Sequence, residues 1–357
     1  MRTKTAALSV LFAVAAYGQK TPDPKTPDQR FAELTALAAP APVAKTNNGD
    51  SKTRDQMTAE IAAQAAAAKQ TAQLAKDFYT ENPNHPKAVE AQKIEALSSV
   101  RSVQAGDSVR EQAALALAKT YRERKDVPAK DRFEVALAAE RLALSSKIKA
   151  KTAADQPIEW QLVGERLKVE FGDLAELHDY SMEVARRADL ATAAGIANAV
   201  SQSTKAGPAA KARAQVVLAR AALVGRPLAL QLAKVTGGEF DLLQQTGKVT
   251  VVLVWSPLDP LGLESVKRFE KILPQNSQMV YLAYGGSAQV TAKLASTAPV
   301  AGLHCFAAAG TASRAVSDGL QLRYAELPAL YVLNRSGTLS GVGRIEDAAN
   351  LLANASR

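Results

Sequence analysis

The sequence predicts two kinds of structure in succession, an α-helical N-terminal domain of stacked hairpins and an α/β C-terminal domain. From Asp55 to about Leu223 the chain is rich in alanine, and leucine or alanine recurs every three or four residues with almost no β-branched runs, which is the composition and period of helices. After Gly225 the pattern changes to apolar runs bounded by glycine and proline, the signature of strands. At 357 residues the chain is long enough for two domains that each bury a core of their own.

Residues 1–18 read as a signal peptide. Arg2 and Lys4 precede an apolar run, Ala6 to Ala16, and the small-residue stretch Ala16-Tyr17-Gly18 precedes Gln19. The run is shorter than the roughly 20 residues of a membrane span. A lipid anchor would need a cysteine there, whereas the only cysteine is Cys305. The protein is therefore expected to be exported, periplasmic or extracellular, with no membrane insertion after signal cleavage. With one cysteine it cannot form an intramolecular disulfide, so packing alone must stabilise it.

Residues 19–54 read as a linker around one short helix. Pro22, Pro24 and Pro27 precede the helix, and Pro40 to Asp50, containing Asn47-Asn48-Gly49, follows it. Over Asp28 to Ala38, Phe31, Leu34 and Leu37 recur at helical spacing, and Asp28 is placed to cap the first turn.

Residues 55–224 predict about eight helices. Breaks fall at Asn82 to Pro86, Ala105-Gly106-Asp107, Asp126-Val127-Pro128, Asp155-Gln156-Pro157, Gly172-Asp173 and Ala206-Gly207-Pro208. Starts about every 20 residues suit helical hairpins of about 40 residues stacked as a solenoid. The segment Asp77 to Ala88 resembles the inter-helix turn of tetratricopeptide-like hairpins. The alanine-rich faces serve either as a concave protein-binding surface or as plain bundle packing.

In residues 225–357, Leu228 to Val235 and Phe240 to Leu243 flank Gly237-Gly238 as a hairpin. Val249 to Trp255 is apolar throughout and suits a central strand covered on both faces. Further strands are expected at Met279 to Ala283, Leu303 to Ala307, Ala329 to Asn334 and Leu339 to Val342. Helices are expected at Glu264 to Leu273, Ala288 to Ala298, Ser313 to Leu320 and Glu346 to Ala355. The result is a mixed sheet with helices on both faces.

Composition excludes several classes of function. The formal charge of +9, about +7 without the signal, is interspersed with acidic residues as on solvated helix faces. Aromatic content of 5% offers few stacking platforms, so no nucleic-acid partner is expected. His85, His178 and His304 lie far apart with no cysteine or second histidine at ligand spacing, so neither a metal nor a cofactor is implied. No phosphate-binding glycine loop or nucleophile elbow is present.

Three stretches carry a family resemblance: Gly225 to Leu230, Gly237 to Leu242, and Gly247 to Trp255. Together with Leu327-Pro328-Ala329 and the turn Asn334 to Gly337, they resemble the TlpA/ResA-type thioredoxin-like domains, a class that overlaps the AhpC/TSA antioxidant proteins. The resemblance covers about 130 residues and implies a thioredoxin-like fold with a cis-proline at Pro328. It also implies a cysteine pair in a Trp-x-x-x-Cys-x-x-Cys loop. Here Asp259 stands at the nucleophile's position and Gly262 at the resolving position. The chemistry needs a thiolate to attack a disulfide and a second thiol to release it, and a carboxylate does neither. Asp259 instead suits the helix start as an N-cap. Pro257-Leu258-Asp259 also looks like the stretch before a peroxidatic cysteine, which would fall near Glu264 and is equally absent.

Cys305 is expected to face inward from its strand as a small hydrophobe, with His304 on the opposite face and unable to activate it. Three readings of function follow. In the first, a redox-inactive thioredoxin-like module binds a protein or extended peptide in a groove formed by Trp255, Pro257, Leu258, Leu327 and Pro328, where the resemblance places peptides. In the second, Cys305 alone supports oxidoreductase or peroxidase chemistry. In the third, the helical region binds partners and the C-terminal domain is its cap.

Overall fold

The computed structural model describes residues 25–39, 54–148, 156–257, 277–297 and 302–356. The expected signal peptide lies outside the described residues, as do most of the two proline-rich linker stretches. So do Leu258, Asp259, Gly262, Glu264 and the helix expected from Glu264 to Leu273.

Helix α1 spans Pro27–Ala38. Its N-cap is Thr26 rather than Asp28: Thr26 accepts from the Gln29 amide, and the Gln29 side chain accepts from the Thr26 amide. Pro27 is the reason, because a residue with no N–H and a fixed φ fits the first helical position and leaves the cap to the residue before it. Phe31 and Leu34 are buried, while Leu37 is exposed and Ala38 takes its expected place against the core.

Among the described residues eight further helices follow: α2 Arg54–Glu81, α3 Ala88–Gln104, α4 Glu111–Arg122, α5 Ala129–Ile148, α6 Gln156–Phe171, α7 Ala175–Arg187, α8 Leu190–Gln202 and α9 Pro208–Ala221. Gly106 and Gly172 end α3 and α6 at positive φ, where a Cβ would be strained. Between α7 and α8 the chain breaks at Ala188-Asp189 with neither glycine nor proline. The break holds because the Asp189 carboxylate accepts from the Thr192 amide at 3.0 Å and restarts the helix.

These helices share a succession of small cores rather than one large one. Phe31, Phe78 and Ile94 join α1 to α3, and Val100, Ala118 and Val135 join α3 to α5. Phe133, Leu167 and Tyr180 join α5 to α7, and Met182, Ala197 and Ala214 join α7 to α9. The main helix contacts run between neighbours and next neighbours, as in a solenoid.

The C-terminal part is built on strands β1 Gln231–Lys234, β2 Glu239–Asp241, β3 Val249–Trp255, β4 Ser277–Tyr284, β5 Leu303–Ala307, β6 Ala329–Leu333 and β7 Leu339–Gly343. They form one sheet in the order β2-β1-β5-β4-β3-β6-β7. The central β3, β4 and β5 run parallel, and β6, β7, β1 and β2 are antiparallel to their neighbours. The first strand begins at Gln231, three residues later than expected, because Pro227 is spent on a bridge to Thr338 and Leu228 and Leu230 enter the core outside the ladder.

Alternation along each strand feeds two cores. Val252, Val254, Leu282 and Cys305 face one side, where helix α11 (Thr311–Leu320) adds Val316 and Leu320. Val251, Leu253, Trp255 and Tyr281 face the other, where α12 (Ala348–Ser356) adds Ala348 and Leu352. Helix α10 is Ala288–Thr297. Coverage on both sides is why β3 is buried at every position and why its sequence shows no polar alternation.

Arg220 on α9 pairs with Glu326 and donates to the Gln321 carbonyl at 2.6 Å, and Arg323 donates to the Ala212 carbonyl at 3.0 Å. Gly225 and Arg226 hydrogen-bond to Leu339 at the edge of the sheet. Among the described residues, no helix is long and apolar enough to cross a membrane.

Candidate functional site

Three chain segments converge at one end of the sheet. Because β3 and β4 are parallel and β6 runs against β3, the exits of β3 and β4 meet the entry of β6. The register pairs Val254 with Ala329, which sets Trp255 and Pro328 one step further along. The Leu327–Pro328 peptide is cis.

Ser256 follows Trp255, and its hydroxyl lies 2.6 Å from the Tyr324 hydroxyl. The rings of Tyr324 and Tyr284 are 6.3 Å apart, tying the β4 exit to the same cluster. Gly286 makes room for Pro257, since a Cβ at Gly286 would come within 2.8 Å of the proline ring. Tyr324 is 53% exposed, and Pro257, Leu327 and Pro328 are partly exposed.

Trp255, expected to wall the groove, is instead 3% exposed and packed in the core beneath α12, and its Nε1 has no hydrogen-bond partner among the described residues. Strand alternation decides this: Trp255 shares its side with Val251 and Leu253, which α12 covers. Among the described residues the exposed aromatic at this end of the sheet is Tyr324, which the sequence reading missed along with Ser256. The available signal was an aromatic just upstream of Leu327-Pro328.

Cys305 is fully buried. It stands level with Leu282 and Val254 across the sheet, two strands and so about 10 Å from β3, and points into the core shared with α11. Burial pushes its thiol up to about 12. His304 lies on the other face, stacked on Tyr281 with ring centroids 5.1 Å apart. The charge of Lys234, opposite Cys305 on β1, pulls the thiol the other way and is outweighed by burial.

One cluster in the helical part has the residue types of a hydrolytic triad. His178 Nε2 lies 2.7 Å from the Asp173 carboxylate and 2.9 Å from the Ser203 hydroxyl. Both partners meet the same ring nitrogen, whereas a relay needs the carboxylate on one nitrogen and the hydroxyl on the other. The cluster ties the turn before α7 to the end of α8. Among the described residues, no group of three or more His, Cys, Asp or Glu side chains is arranged to hold a metal.

The parallel β3–β4–β5 core, the antiparallel β6–β7 hairpin entered through Pro328, the C-terminal helix on one face and a further helix on the other define the C-terminal part as thioredoxin-like. No protein-family model and no curated protein sequence matches the chain. Solved structures similar to it include DsbF of Mycobacterium tuberculosis, at 16% identity over 36% of this chain and 96% of that one with a TM-score of 0.31. A thiol-disulfide isomerase from Corynebacterium glutamicum is 14% identical over 37% of this chain and 97% of its own, with a TM-score of 0.32. The thioredoxin domain of a thiol-disulfide oxidoreductase from Bacteroides vulgatus is 11% identical over 36% and 95%, also at 0.32. The class rests on the strand order and helix placement of this chain.

Proposed function

We propose that the protein is exported and that its thioredoxin-like part binds an extended peptide without thiol chemistry. The observation that carries this reading is the position of the only thiol, buried in the core beside β4, while the end of the sheet where a cysteine pair would act offers Tyr324, Pro257, Leu327 and Pro328. An aromatic ring beside partly exposed prolines and a leucine suits apolar side chains of a peptide lying across the strand ends. The export proposal rests on the pattern of residues 1–18. The single-cysteine alternative needs an accessible Cys305, and the burial of that side chain counts against it.

Two measurements test the reading. In a disulfide-reduction assay the native protein and Cys305→Ser should be inactive, and an Asp259→Cys/Gly262→Cys variant should gain activity. Native activity that Cys305→Ser abolishes would overturn the redox-inactive reading. Peptides selected from a displayed random library should lose about tenfold in affinity, some 1.4 kcal/mol, on Tyr324→Ala or Pro328→Ala. Affinity unchanged in both variants would remove the groove.

A further inference from the structure

A cavity of about 630 Å³ lies between α7–α9 and the strand ends at β6 and β7. Its lining includes Met182, Val217, Leu327 and Val342, which make an apolar floor. Around them stand five arginines, Arg186, Arg213, Arg220, Arg323 and Arg344, against the two glutamates Glu326 and Glu346.

Three of the five are answered by carboxylates: Arg213 by Asp179, Arg220 by Glu326, and Arg344 by Asp347 at 3.5 Å. Arg323 donates to the Ala212 carbonyl and makes no ion pair among the described residues. Arg186 makes no hydrogen bond or ion pair among the described residues. Its place in the last turn of α7 suits the helix dipole and leaves its five N–H donors available.

We propose that this cavity binds a small amphipathic anion, with a carboxylate or phosphate head held by Arg186 and Arg323 and an apolar body on the floor. Guanidinium forks match the oxygen spacing of both head groups, and the volume falls in the range of small-molecule sites, about 300–1,000 Å³. Arg186 comes from the helical part and Arg323 from the thioredoxin-like part, so neither part makes the site alone. This gives the helical region a role that peptide docking on Tyr324 does not supply.

The test is titration calorimetry on the full chain without its first 18 residues, using octanoate, octyl phosphate, octanol and octyltrimethylammonium. The two anions should bind at least about tenfold more tightly than the alcohol and the cation, and their ratio identifies the preferred head group. Arg186→Glu/Arg323→Glu, both at exposed positions, should abolish that preference, and Lys147→Glu/Lys168→Glu, exposed on α5 and α6, should keep it. Equal affinity for all four compounds, no binding of the anions at millimolar concentration, or a preference that survives Arg186→Glu/Arg323→Glu would each overturn the proposal. An acidic peptide that binds with the same arginine dependence while octanoate and octyl phosphate do not would also overturn it.

Discussion

Cys305 sits where water does not reach, and its chemistry follows from that. A thiol reagent should leave the native protein unlabelled at pH 8 and react once denaturant is added, and rapid native labelling would contradict its burial. The same burial makes stability fall in alkali. In the unfolded chain the thiol loses its proton near its ordinary value of 9.0, whereas in the fold it keeps the proton up to about 12. Its contribution is therefore whole below pH 9 and is lost as the pH climbs towards 12, by at most about 1.4 kcal/mol per pH unit. Tyr121, also pushed up to about 12 by burial, adds to the decline from its ordinary 10.0 upward. Denaturant midpoints between pH 8 and 11 should fall less steeply in Cys305→Ala. The inward direction of Cys305 follows from strand alternation, but the exposed Tyr324 has no such periodicity. It sits in a single short turn, whose side-chain direction depends on the Ser256 hydroxyl about 70 positions upstream.

Most elements were legible because each carries its own punctuation. Prolines open α6 and α9, glycines close α3 and α6, and the apolar run of β3 ends at Trp255 as the residues dictate. The break between α7 and α8 was not legible. Its signal is one capping aspartate inside a run of good helix formers, and that cap competes with helix continuation by about 1 kcal/mol. Asp189→Ala should cost about that much in a denaturant melt and loosen the α7–α8 turn, with faster amide exchange at Leu190 to Thr192 as the local readout. No change in exchange there would mean that packing, rather than the cap, sets the break.

Across the whole molecule, the Arg220–Glu326 pair fastens α9 to the turn that leads into Pro328. Both side chains are mostly buried, so Arg220→Ala should cost about 3–5 kcal/mol by leaving the Glu326 charge unpaired. Arg220→Met/Glu326→Leu should recover most of that loss, and equal destabilisation of the two variants would show that the pair contributes through geometry rather than charge. The sequence by itself determined the change from helices to a sheet near Gly225 and the absence of a cysteine pair, while the resemblance to TlpA/ResA-type domains implied the thioredoxin-like class. Periods of 3.6 and 2, turn residues and residue identities are local properties that survive without a fold. The tertiary structure alone decided that Trp255 is buried, that Tyr324 is exposed, and that arginines from α7, α9 and the β6 and β7 ends surround one cavity. The helical and sheet segments that carry those arginines lie more than 100 positions apart, and only the docking of helices on the sheet brings them within reach of each other.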